Sequence, residues 1–439
     1  MGGIALLGNG LKSVVTSTVL VSEARFASFL GIEVERVALL MEAIVAGMVV
    51  ALAMYPLVVR RFAVRDVALA AAVIGALAFA AFAAGATDGA GHTREAWAYT
   101  CLTLGGAALV WLAPGAQSLV LGWPGTEGRK ALTSIWTGAT PAGFLAAPQL
   151  AKWLLPGLGL SAYFASLAIL PLAFAGLVAT TAIAAQRPDG DDALPVRLVV
   201  AFAAAVVTFE AWSTAGSVLG YTAAATLATL PLLAAAAAWF VKRARQFATS
   251  ISGTPSMWFS VAALFALEIP TTGFFEAAFL YDRGLPEALV ADRATLAAAA
   301  QVAGTLVAGV VLHRADFTPR VAWIACGLVV LGVGGYAAYP AVHDTWYYMA
   351  TAAVAGMGIG ALTLVLCLAI IGDARRAVAL AALPSIAIMV GTEVGLELLQ
   401  CAFAAARGIA ASPFPIVFAA QAAAAVAVVP LLRRALRHG

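Results

Sequence analysis

The chain has 439 residues, of which 63% are hydrophobic and 11% charged, against roughly 45–50% and 25% in ordinary soluble domains. That balance excludes a soluble globular protein and places most of the chain in a bilayer. A net charge of +3 is too slight to recruit nucleic acid.

Redox and metal chemistry find no support either. Cys101, Cys326, Cys367 and Cys401 fall inside apolar runs, and His92, His313, His343 and His438 are scattered. Neither set has the spacing of a metal site or a disulfide framework, so no cofactor is expected. The N-terminus lacks the pattern of a removable signal peptide, so the first apolar run is expected to direct insertion.

A membrane-spanning helix needs about 20 mostly apolar residues. Charged or Gly/Pro-rich breaks divide the chain into fourteen such spans: 4–30, 37–59, 67–87, 96–121, 131–154, 160–185, 196–217, 220–241, 257–281, 293–312, 321–340, 346–371, 377–402 and 413–432. The first is interrupted by Lys12, Glu23 and Arg25. The even-numbered connections carry the Lys and Arg: Arg60, Arg61 and Arg65; Arg129 and Lys130; Arg187; Lys242, Arg243 and Arg245; Arg314 and Arg320; Arg375 and Arg376. By the positive-inside rule these connections face the cytoplasm, and so do both termini. Trp97, Tyr99, Trp153, Trp346, Tyr347 and Tyr348 sit near span ends and read as interfacial anchors.

Two pairs of loops repeat. Leu57 to Asp66 (LVVRRFAVRD) matches Val311 to Arg320 (VLHRADFTPR), and Glu127 to Lys130 matches Asp373 to Arg376. Each is a small charged loop between apolar runs, and the second pair follows the first at nearly the same distance. The halves are therefore spans 1–6 and 9–14, with spans 7 and 8 inserted. This gives residues 1–186 as an N-terminal half, 187–253 as the insertion with its linkers, and 254–439 as a C-terminal half.

The layout resembles the major facilitator superfamily, and within it the fourteen-helix branch of drug:proton antiporters. Arg61, Phe62 and Arg65 fall where that superfamily carries its loop motif, while Pro56, Arg60 and Ala63 replace its usual Gly, Asp and Gly. Gly309, Arg314 and Arg320 fit the second copy. Gly138, Pro141 and Gly143 are a reduced form of the branch's fifth-helix motif, and its acidic residue early in helix 1 is missing, with Val15 and Thr16 in that region. The resemblance implies an all-α polytopic membrane protein of the 6+2+6 kind, in the inner membrane, that is a transporter and not an enzyme. It implies alternating access by rocking halves, with Arg61, Arg65, Arg314 and Arg320 as cytoplasmic gating loops.

Charges inside spans are the stronger chemical signal, because each costs about 2.5 kcal/mol or more near the bilayer centre and needs a partner or a cavity. The candidates for proton coupling or substrate binding are Glu23, Arg25, Glu42, Glu268, Glu276, Glu393 and Glu397. Glu210 also qualifies, but it belongs to the inserted pair. Glu268 falls near mid-membrane beside Pro270 and Gly273, where the missing proline N–H loosens the helix. Glu393 stands about 6 Å away in depth, and Glu397 is one turn further on the same face. Two carboxylates that close should not both ionise easily, which suits a proton carrier.

Trp111 and Gln117 on span 4, with Trp136 and Thr140 on span 5, are candidates for a substrate cavity, since Trp offers the best face to a cation. The expected function is proton-coupled export of a small amphipathic or cationic compound. The expected partners are that substrate, protons and lipid, with a periplasmic adaptor if export is confirmed. The alternatives are a nutrient or siderophore importer of the same fold, and a lipid flippase or membrane enzyme. An enzyme should carry polar clusters in sizeable loops, and the longest loops here have about fifteen residues. The Gly356, Gly358 and Gly360 series marks a close helix crossing rather than a phosphate loop, because no strand precedes it.

Overall fold

In a bilayer every backbone N–H and C=O must be satisfied within the chain, and the long apolar runs do this as helices. A computed structural model describes residues 1–32, 34–85, 92–121, 126–181, 255–271, 274–314, 318–371, 381–407, 410 and 412–437. The protein is a multi-pass membrane protein, and helix occupies each of the twelve expected spans that fall in these residues. The inserted spans 196–217 and 220–241, with Glu210, lie outside the described residues.

The chain gathers into two compact units, Met1–Thr214 with Asp373–Ser385, and Ala215–Gly372 with Ile386–Gly439. In unit 1 the helices are α1 (Gly2–Val21), α2 (Glu23–Leu30), α3 (Val34–Val59), α4 (Val64–Gly85), α5 (His92–Leu121), α6 (Thr126–Leu167) and α7 (Ile169–Thr180). Unit 2 has α8 (Pro255–Glu268), a 3₁₀ turn (Ile269–Thr271), α9 (Phe274–Asp282), α10 (Glu287–Arg314), α11 (Thr318–Tyr336), α12 (Thr345–Ile371), α13 (Ala382–Arg407, less its first four residues) and α14 (Phe414–Arg437).

Glycine sets two features of these helices. The 42-residue α6 is broken at Gly159, whose φ of 71° is left-handed and costs a side-chain-bearing residue energy. This is the boundary expected between spans 5 and 6. In α12, Gly356 and Gly360 face α10 while Gly358 faces α11. A Cβ on Gly360 would lie 2.0 Å from the Gln301 carbonyl oxygen, so only glycine allows the crossing.

Unit 1 packs α1 on α5 and α6 just as closely. A Cβ on Gly143 would lie 2.5 Å from Gly10 O, and one on Gly8 would lie 2.3 Å from Ala116 Cβ. The reduced fifth-helix motif thus has a packing reason for its last glycine. Elsewhere in unit 1, Phe26, Phe79 and Phe82 pack against Phe164, with ring centroids 4.8–5.8 Å apart. In unit 2 the matching cluster centres on Phe279, with Phe414 and Phe418 at 5.2 and 5.4 Å. Trp153 and Trp346 are 73% and 78% exposed, as interfacial anchors should be. Tyr348 is not an anchor, because it is buried against Tyr339 at 4.7 Å.

Candidate functional site

The first helix carries a polar stripe. Asn9, Lys12, Ser13, Thr16 and Ser17 recur at spacings of three and four, which puts them on one face of α1. Asn9, Lys12, Ser13 and Ser17 are all buried. A buried Lys in a membrane helix marks a functional region by default, because burial is expensive and must be compensated.

Neighbouring helices add hydrogen-bonding groups at the same level. Asn9 Nδ2 donates to Trp136 O at 2.7 Å, and Trp136 Nε1 donates to Ala113 O at 2.9 Å. These bonds tie α1, α5 and α6 at one junction, with Gln117 one turn beyond Ala113 and Thr137 next to Trp136. Gln117 is wholly buried, yet neither its Nε2 nor its Oε1 has a hydrogen-bond partner among the described residues. The same holds for Asn9 Oδ1 and Thr137 Oγ1. A buried polar group left unmade costs about 1–3 kcal/mol, so each of these four atoms calls for a partner.

Unit 2 buries charged groups as well. Its broken span runs from α8 through the 3₁₀ turn to α9, and Thr271 Oγ1 donates to Glu268 O at 3.0 Å and to Glu268 Oε2 at 3.3 Å. Glu268 is half-buried. Beyond the break, Glu276 is 1% exposed and accepts from Gln421 Nε2 at 2.9 Å. Arg293 of α10 is buried too, donates to Tyr339 Oη at 3.3 Å, and lies within electrostatic range of Glu276. Its guanidinium stands 5.3 Å above the Tyr336 ring, a cation–π placement. On α13, Gly391 and Gly395 pack on Phe265 and Ile269. Glu393, about 200° round the helix from Gly391 by its 3.6-residue turn, is buried on the other face.

Solved structures similar to this chain over nearly its whole length include three transporters. The proton:xylose symporter XylE bound to 6-bromo-6-deoxy-D-glucose superposes with a TM-score of 0.65 at 12% identity, over 96% of this chain and 93% of that one. FucP in an outward conformation matches with a TM-score of 0.58 at 12% identity, over 98% and 97%. The E. coli fucose:proton symporter FucP matches at 0.61 and 13%, with the same coverage. The fold is that of the major facilitator superfamily. No family model matches the sequence, and neither does any curated protein. The likeness therefore lies in how the helices are arranged, not in sequence.

Within the major facilitator fold the expected residues divide. Trp136 is 1% exposed and spends its indole N–H on Ala113, so it packs α5 on α6 rather than offering its face to a cation. Trp111 is half-buried against Tyr55 at 6.3 Å and donates to Ala51 O. Thr140 is half-buried, with Oγ1 3.5 Å from Asn9 O. Arg25, Arg61 and Arg320 are exposed. Arg65 finds a helix-end carbonyl, donating to Ala179 O at 2.8 Å. The side chains of Glu23, Glu42, Glu397 and Arg314 lie outside the described residues, as does the Asp373 to Arg376 loop.

Four groups escaped the sequence reading. Asn9 and Thr137 look unremarkable singly, although the spacing from Asn9 to Ser17 was a usable signal. Arg293 sits at the first residue of its expected span and so reads as a boundary charge. Gln421 is a single amide in an apolar run, and nothing near it in sequence announces its partner 145 residues away.

Proposed function

We propose that the protein is a proton-coupled secondary transporter of a small, neutral, hydrogen-bonding molecule, working by alternating access. The observation that carries this reading is Gln117, wholly buried with both ends of its carboxamide unpartnered among the described residues. With Asn9 and Thr137 it presents two acceptors and at least two donor groups, a set suited to a hydroxylated or amide-bearing solute. The half-buried Glu268 and the buried Glu393, together with Glu397, are the proposed proton sites. The Lys and Arg asymmetry of the loops supports an inner-membrane location with both termini cytoplasmic.

The test is transport in proteoliposomes under an imposed pH gradient, with a panel running from polyols and sugars to lipophilic cations. Gradient-driven uptake of a neutral polar solute, lost in Gln117→Leu and uncoupled from the gradient in Glu268→Gln or Glu393→Gln, is the expected result. Gradient-driven transport retained in both carboxylate variants would remove the proton-site assignment. A second reading, export of an amphipathic or cationic compound, is favoured by the half-buried Trp111 beside Tyr55 and the half-buried Glu268. It predicts the opposite preference across the panel, with cations moving against the proton flux.

A further inference from the structure

The break in the span of α8 and α9 is bridged by an amide. Pro270 supplies no N–H, so one backbone hydrogen bond is missing at the break. Gln421 of α14 is wholly buried, and its Nε2 donates to Pro270 O at 3.1 Å on one side of the break and to Glu276 Oε1 at 2.9 Å on the other. Glu276 stands in the first turn of α9, where the helix dipole favours an anionic carboxylate. Its Oε2 is buried without a hydrogen-bond partner among the described residues.

We infer that Glu276 is a buried proton-binding site that latches the break, with the Gln421 carboxamide as the splint across it and Arg293 as the counter-charge. Ionised, Glu276 accepts a charge-assisted bond from Gln421 and attracts Arg293. A proton added at Oε2 neutralises the carboxylate, weakens the splint, and leaves Arg293 held by Tyr339 and the tyrosine rings. The half of the span in α9 is then free to move relative to α8.

Each neighbouring element contributes to this balance. Arg293 comes from α10, Tyr336 from the end of α11, and Tyr339 from the turn that follows it. Gln421 comes from α14, and Glu268 with its Thr271 bond flanks the break. From α13, Phe403 packs on Phe275, with Arg407 4.8 Å above the Phe403 ring.

The use of this proton in transport rests on the proposed coupled mechanism. The latch itself can be read without substrate or gradient, so the two ideas can fail separately. The measurement is hydrogen exchange of full-length protein in nanodiscs across a pH series, corrected for intrinsic exchange, with α12 amides as an internal reference. Protection over residues 269–282 in the wild type should fall about tenfold or more as pH drops, the change that one bond to a charged group carries. Glu276→Gln should show the low protection at every pH, and Gln421→Leu likewise, while Glu276→Asp keeps a pH-dependent profile. If α12 protection shows that Glu276→Gln has not folded, the Gln421→Leu and Glu276→Asp arms decide. A flat wild-type profile, or a pH response surviving in Glu276→Gln, would overturn the latch.

Discussion

Unit 1 and unit 2 solve the same packing problem with different chemistry. In unit 1 the polar groups at the α1, α5 and α6 junction are mostly neutral, and four of their atoms lack partners among the described residues. In unit 2 the buried polar groups include Glu276 and Arg293, with bonds from Gln421 to Glu276, Arg293 to Tyr339, and Tyr339 Oη to Thr351 Oγ1 at 2.8 Å, while Glu276 Oε2, Gln421 Oε1 and Thr363 Oγ1 lack hydrogen-bond partners among the described residues. A neutral set with unpartnered atoms suits a ligand that comes and goes, whereas a set holding a carboxylate near a guanidinium suits an element held until its charge changes. On the proposed function, recognition would belong to unit 1 and switching to unit 2.

The largest expected effect tests the charged side. Arg293→Met leaves Glu276 buried without its opposite charge and should cost about 3 kcal/mol or more of stability in detergent. Adding Glu276→Gln should recover much of that loss. Independent, additive effects of the two changes would show that the groups do not form one centre.

Gln117→Leu should act in the opposite direction. Removing a buried amide that nothing satisfies should raise thermal stability by about 1–3 kcal/mol without substrate, while weakening substrate binding. A variant that loses stability as well as binding would mean that the amide is bonded in the resting protein and would erase the contrast between units.

Trp136→Phe removes one hydrogen bond, to Ala113 O. It should lower stability by about 1 kcal/mol and leave substrate affinity unchanged. A selective loss of binding would return Trp136 to the recognition surface. The smallest effect is expected for Arg65→Gln, which removes a cation from the end of α7 and should cost about 0.3–1 kcal/mol, falling with added salt. An effect several times larger on transport rate alone would argue that this loop gates.

Much of the fold was legible because the signals are local. Hydropathy over about 20 residues decides whether a segment can span, and the twelve expected spans within the described residues all carry helix. The break after Glu268 was legible for the same reason, since Pro270 removes a donor wherever it sits. So was the close crossing at Gly356 and Gly360, because missing side chains allow contact whatever the partner.

The site was less legible. Trp111 and Trp136 look alike in sequence and each donates its indole N–H to a backbone carbonyl, and only the packing around them makes Trp136 buried and Trp111 half-buried. Glu276 was visible as a charge in a span, but its meaning depends on Gln421 and Arg293, which lie on other helices.

The sequence by itself determined the membrane location, the run of helices, their glycine and proline breaks, and the places where polar groups enter the apolar spans. Those follow from the solvation of short segments, which neighbours in space do not alter. Tertiary structure decided which of the buried polar groups have partners. Hydrogen bonds and ion interactions act over a few ångströms, and the residues that make them here, such as Asn9 with Trp136 and Gln421 with Glu276, are separated by 127 and 145 positions along the chain.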